Sequence, residues 1–138
     1  MTTQDSLIGL VEVSKTETKL LLESAYFLIE LGKFKEAQDV FEGACSLLPR
    51  NDVPRVGLGN LFVMQGRYDQ AIQAYQEALK IQDTSASAHA FLGEALLLKK
   101  QFDRAIVSLD KAKSLDPEGP AGKLAASLLQ AHKDGAFA

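Results

Sequence analysis

Tryptophan is absent from this chain of 138 residues, cysteine occurs once, and histidine occurs twice. The single thiol, Cys45, cannot form an intrachain disulfide, so the disulfide-framework class is excluded and a reducing compartment is expected, the cytoplasm. With only His89 and His132 beside it, no set of soft ligands has zinc-site spacing, and neither a metal nor any other cofactor is expected. Positive charge is not in excess. Fifteen Lys and Arg stand against eighteen Asp and Glu, a net charge of −3, which argues against a nucleic-acid surface. No apolar run approaches the roughly 18–20 residues of a membrane span. The start, MTTQDSLIGLVEVSKTETK, lacks a basic head and a small-residue cleavage site, and its apolar run Leu7–Val11 is short, so no signal peptide is expected.

What is present is 46% apolar residues and an internal period. Gly32-Lys-Phe34-Lys-Glu-Ala37 is matched 34 residues on by Gly66-Arg-Tyr68-Asp-Gln-Ala71, and again by Lys100-Gln-Phe102-Asp-Arg-Ala105. The same offset aligns Phe41, Tyr75 and Leu109; Ala44, Ala78 and Ala112; Leu47, Ile81 and Leu115; and Pro49, Asp83 and Pro117. Seven columns hold across three units without an insertion.

These columns resemble the tetratricopeptide repeat: small residues at positions 8, 20 and 27, aromatics at 17 and 24, proline at 32. The resemblance implies an all-α fold, a right-handed superhelix of three helix-turn-helix repeats with a C-terminal capping helix. The units run 18–51, 52–85 and 86–119, after an N-terminal segment, 1–17. Two departures occur: Lys100 stands at the turn glycine of the third unit, and Asp83 at the terminal proline of the second.

Residue physics points the same way. Each unit carries two amphipathic helices with apolar residues at i, i+3, i+4 and i+7. In the second unit they are expected over roughly 53–65 and 67–82, with Gly66 ending the first, Asp52 capping it and Pro54 in its first turn. Ser14-Lys-Thr-Glu17 is a capping-box pattern that starts the first helix near Lys15. Position 8 (Ala25, Gly59, Gly93) is expected to face position 20 (Ala37, Ala71, Ala105) where the paired helices cross, and position 27 (Ala44, Ala78, Ala112) to pack between units. Pro120–His132 reads as the cap, a helix over 120–133 with Leu124, Leu128 and Leu129 on its apolar side, and 134–138 as a frayed tail.

No catalytic constellation is visible. Cys45 and His89 fall at helix-packing positions, and His132 lies in a last helical turn, where a cation suits the dipole. Gly57-Leu-Gly59 lies within a helix and lacks the residues of a phosphate loop. The acids are scattered over solvent faces and pair with lysines, as in Glu77–Lys80 and Asp110–Lys113. A non-enzymatic chain is expected.

In this repeat class the concave groove is reached by positions 2, 5, 6, 9, 12 and 13. They are Lys19, Leu22, Glu23, Tyr26, Ile29 and Glu30; Val53, Val56, Gly57, Asn60, Val63 and Met64; and Ser87, Ala90, Phe91, Glu94, Leu97 and Leu98. The set is mostly apolar and suits an extended or helical peptide, with Asn60 bonding a bound backbone and Tyr26 and Phe91 forming side-chain pockets. The clamp that grips acidic chaperone C-termini uses Lys, Asn, Asn, Lys and Arg. Here Leu22, Tyr26, Gly57, Ser87 and Phe91 stand in their places, so that function is not expected.

Three repeats, a short N-terminal segment, a cap helix and an acidic balance, with Phe41-Glu-Gly-Ala44-Cys45 and Gly66-Arg-Tyr68-Asp-Gln-Ala-Ile72, also resemble the bacterial type III secretion chaperones of the translocator class. That resemblance implies a groove holding a segment of a secreted translocator, or of a needle subunit in the related chaperones, and a homodimer through Leu7–Val13. The expected function is protein binding that keeps a hydrophobic client soluble. A scaffold subunit of a multiprotein assembly is the alternative.

Overall fold

The computed structural model describes residues 13–138. Among the described residues the chain is all helical, with seven helices: α1 (Lys15–Glu30), α2 (Phe34–Leu47), α3 (Val53–Met64), α4 (Tyr68–Ile81), α5 (Ala86–Leu98), α6 (Phe102–Leu115) and α7 (Pro120–Lys133). Consecutive helices pack as antiparallel neighbours, and each odd-numbered helix also touches the next odd-numbered one. Apart from Val13, the Leu7–Val13 segment expected to mediate self-association lies outside the described residues.

Local chemistry sets the helix ends. The Ser14 Oγ accepts from the Glu17 amide at 3.1 Å, half of the expected capping box, and the Ser14 hydroxyl bonds the Glu17 carboxylate at 3.2 Å. Ser85 caps α5 by accepting from the Ala88 amide at 3.2 Å. The expected cap at Asp52 is not made. Asp52 already has helical φ and ψ, and Asn51 Oδ1 accepts from the Val53 amide at 2.9 Å in its place.

The three turns within pairs share one geometry. Gly32, Gly66 and Lys100 have φ of 74°, 73° and 60°. The next amide reaches back to close each turn: Lys33 to Leu28 and Arg67 to Phe62 at 2.8 Å, and Gln101 to Leu96 at 2.9 Å. This is the six-to-one bond of a Schellman motif, which wants a left-handed residue. Lys100 adopts it without glycine's freedom, against the steric cost of a left-handed residue bearing Cβ.

The nine small residues at positions 8, 20 and 27 are all buried. The expected position-20 neighbour is present at Gly93, where the Ala105 carbonyl lies 3.3 Å from a Cβ built there, but the tightest contact is another. A Cβ at Gly59 would overlap the ring of Tyr75, 2.7 Å from Cδ1, and one at Gly93 would lie 2.5 Å from the Leu109 side chain. Position 24, and not chiefly position 20, therefore fills the space that the missing side chain leaves. Phe41 does the same one unit on, with its ring over Gly57.

One core cluster runs from α3 to α7, and a smaller one joins α1 and α2 to Leu61 of α3. Cap helix α7 buries Ala121 and Ala125 and sets Leu124, Leu128 and Leu129 against the larger cluster, while Lys123, Ser127 and Gln130 face solvent. The tail is not frayed. The Ala136 amide donates to the Ala131 carbonyl at 3.0 Å, and Phe137 packs on the core. The ion pairs among the described residues are Lys19–Glu23, Lys35–Asp39 and Lys99–Asp69, so the expected Glu77–Lys80 and Asp110–Lys113 pairs are not formed.

Candidate functional site: the face of the odd-numbered helices

The candidate groove is built from α1, α3 and α5. Its expected residues divide by exposure. Tyr26, Val53 and Met64 are open to solvent, at 41%, 48% and 61%. Leu22, Asn60, Val63, Phe91 and Glu94 are half-buried. Four others are core. Ala90 and Leu97 have no exposed surface, and Ile29 and Val56 keep 6% and 8%. The reason is the stacking: Ile29 packs in the cluster of α1, α2 and Leu61, and Val56, Ala90 and Leu97 in the larger one, which α7 joins through Ala121 and Ala125. Gly57 is likewise buried, beneath Phe41.

Position 9 forms a row across the units, Tyr26, Asn60 and Glu94. Asn60 Nδ2 donates to the Tyr26 hydroxyl at 3.3 Å, and Asn60 Oδ1 accepts from the Tyr75 hydroxyl at 2.7 Å. The Tyr75 ring stacks on Phe91 with centroids 6.0 Å apart, and Tyr26 meets Phe41 edge-on at 5.3 Å. The row is thus held from below by aromatic rings, in geometries that aromatic pairs favour. Asn60 keeps one amide proton and one lone pair for a bound backbone.

Burial pushes the Tyr75 hydroxyl well above its ordinary range, and the Glu94 carboxylate and Tyr26 push the same way. Burial also raises the Glu94 carboxyl above the ordinary carboxylate value. Tyr75 was legible as a packing aromatic, yet its role as the hydroxyl linking the row carried no signal, because repeat position 24 is occupied by Phe and Leu in the other units.

The residues weighed for chemistry are dispersed. Cys45 is half-buried, and desolvation raises its thiol. His89 Nε2 lies 2.9 Å from the Asp83 carbonyl, and His132 stacks on Phe102 at 4.6 Å. Among the described residues no group of three His, Cys, Asp or Glu side chains is placed to hold a metal. None of the described helices is long and apolar enough to cross a membrane.

Three repeat-family models match overlapping stretches of the chain. Models described as tetratricopeptide repeat match residues 28–73 and 86–118, and one described as TPR repeat matches 59–100. The fold is similar to the type III secretion translocator chaperone SycD of Yersinia enterocolitica. One structure of it, an alternative dimer, is 27% identical with a TM-score of 0.77, over 89% of this chain and 96% of that one. Another, in complex with a peptide of the translocator YopD, is 26% identical with a TM-score of 0.75, over 89% and 97%. The BBSome complex member BBS4 of Bos taurus is 31% identical over 107 residues, 77% of this chain but 20% of that protein, so the chain spans a fifth of that relative's length. Paired helices closed by the same left-handed turn, small residues beneath each position-24 side chain, and these matches together establish that the chain is a tetratricopeptide-repeat protein.

Proposed function

We propose that the protein binds a peptide segment of a partner protein along α1, α3 and α5, and that it acts as a type III secretion-type chaperone, holding a hydrophobic client soluble before export. The observation that carries the reading is the row Tyr26–Asn60–Glu94, flanked by the exposed Val53 and Met64, in a fold similar over most of its length to SycD bound to a YopD peptide. The groove residues in this reading are Leu22, Tyr26, Val53, Asn60, Val63, Met64, Phe91 and Glu94. Each apolar anchor of the client fully buried there contributes about 1.5–3 kcal/mol, and Asn60 supplies direction through backbone hydrogen bonds. The client is a translocator- or needle-type subunit with an apolar segment. The mechanism is burial and release, without turnover.

Val63 is half-buried and packs against the core, so Met64, on the surface, is the cleaner probe. Capture from the native organism's lysate, wild type beside Met64→Asn, should yield one aggregation-prone exported protein that the variant loses. The same client, expressed alone, should be insoluble. A client that stays soluble without this chain would contradict the chaperone reading.

A second reading has its own support. The match to a member of the BBSome complex favours a subunit of a stable assembly, in which the stack is a scaffold. It predicts a fixed set of captured components, retained by Met64→Asn.

A further inference from the structure

Resting on the peptide-binding reading, we infer that Glu94 is the cation-recognising group of the groove and takes a Lys or Arg side chain of the bound segment. Glu94 is a half-buried carboxylate on a concave position, and it enters none of the hydrogen bonds or ion pairs among the described residues. Asp39 and Asp69 each hold a lysine, at 2.9 and 3.2 Å, and Glu36, Asp103 and Asp110 are unpaired among the described residues like Glu94 but lie on α2 and α6, off the concave face. Its oxygens still reach solvent, so the carboxylate is partly desolvated and open to a ligand from the concave side, the condition in which a perturbed acid marks a candidate binding site.

The hydrogen bonds of the row run away from it. The one proton of the Tyr75 hydroxyl is committed to Asn60 Oδ1, and Asn60 Nδ2 is turned to Tyr26. The cations near this face are taken or absent. Lys19 lies 3.8 Å from Glu23, whereas Glu30 and Glu94 are in no ion pair among the described residues. The concave positions therefore hold surplus negative charge, which disfavours an acidic segment and suits a basic one.

The surroundings fit the rest of such a side chain. Phe91 lies one turn before Glu94 and Leu98 one turn after, both with apolar surface still exposed in part. Lys and Arg bury an aliphatic stem along apolar surface and present the charge at its end. The upward shift that burial imposes on the Glu94 carboxyl is what a cation would reverse. The occupant is thus an apolar segment bearing one cation, with the apolar part on the Met64 side of the groove.

The test uses the full chain and phage-displayed random dodecapeptides, selected at neutral pH and counter-selected on Met64→Asn. The selected peptide is then synthesised with Arg and with citrulline, its neutral isostere, at the enriched position. Groove-dependent binders should be enriched in Lys or Arg. The Arg peptide should bind wild type about tenfold more tightly than Glu94→Gln, and the citrulline peptide should bind both alike. Glu94→Lys paired with an Arg→Glu peptide should recover binding, a readout that a misfolded variant does not give. Groove-dependent binders without basic enrichment, or indifferent to Glu94→Gln, overturn the assignment and leave the groove reading standing. Selection that yields no Met64-sensitive binder overturns both.

Discussion

Gly59→Ala separates backbone propensity from packing. Alanine is about 1 kcal/mol better than glycine in a helix interior, so propensity alone predicts a gain. The structure predicts a loss. The new Cβ enters the Tyr75 ring, which is 1% exposed and has no open side to move into. Overpacking of this kind costs about 1–3 kcal/mol. Displacing the ring also strains its 2.7 Å hydrogen bond to Asn60, a further contribution of about 1 kcal/mol. Setting these against the propensity gain leaves a net destabilisation of about 1–3 kcal/mol. The internal control is Gly43→Ala in α2, a helix-interior glycine with nothing within 4 Å of the new Cβ. That variant should be stabilised by about 1 kcal/mol, the propensity term alone. Urea denaturation followed by circular dichroism at 222 nm reads both, and the midpoints should move in opposite directions. If both variants gain stability equally, the ring yields freely and the account of the glycine column is wrong.

Lys100→Gly should raise stability by about 0.5–1 kcal/mol, because it removes a side chain from a left-handed position, and thermal denaturation would show it; an unchanged midpoint would mean the turn carries no strain. Asn51→Ala should cost about 1 kcal/mol by freeing the Val53 amide, whereas Asp52→Ala should fall within about 0.5 kcal/mol of wild type; the reverse order would restore Asp52 as the cap. Glu94 ties stability to pH. Its folded-state pKa is raised, so the folded chain holds the proton more tightly than the unfolded one, and stability falls as pH rises from the ordinary carboxylate value through the raised one. Glu94→Gln should therefore be more stable than wild type at neutral pH, and the difference should vanish below the ordinary value. Denaturation midpoints at the two pH extremes check it, and a difference that grows on acidification would refute the sign.

Much of the fold was legible because the repeat places like residues in like roles. Gly66 was legible as a helix end, and the period set Lys100 at the same turn position, where the residue type argues against the left-handed φ it adopts. The small residues were legible as buried, but the contact that requires them was not. Gly59 and Gly93 answer to Tyr75 and Leu109, one turn beyond the alanines first weighed, and that distinction depends on ring placement. The cap failed for a local reason: Asn51 and Asp52 are both good caps, and pattern cannot say which of two neighbours turns its side chain back. The groove was legible as a set of columns. What the columns omit is the cover supplied by the next helix, so Ala90 and Leu97 sank into the core beneath α7's neighbourhood while Met64 stayed open. The Tyr26–Asn60–Tyr75 chain needed coordinates, since its members come from three different helices.

The central claim is that the partner lies on the face of α1, α3 and α5. A photo-crosslinking amino acid at Met64, 61% exposed on that face, and at Val107, 71% exposed on α6, tests it most directly. Irradiated with the captured client, the chain substituted at position 64 should give a covalent adduct and the chain substituted at position 107 should give none. An adduct at 107 with none at 64 would put the partner on the other side of the stack and contradict the account.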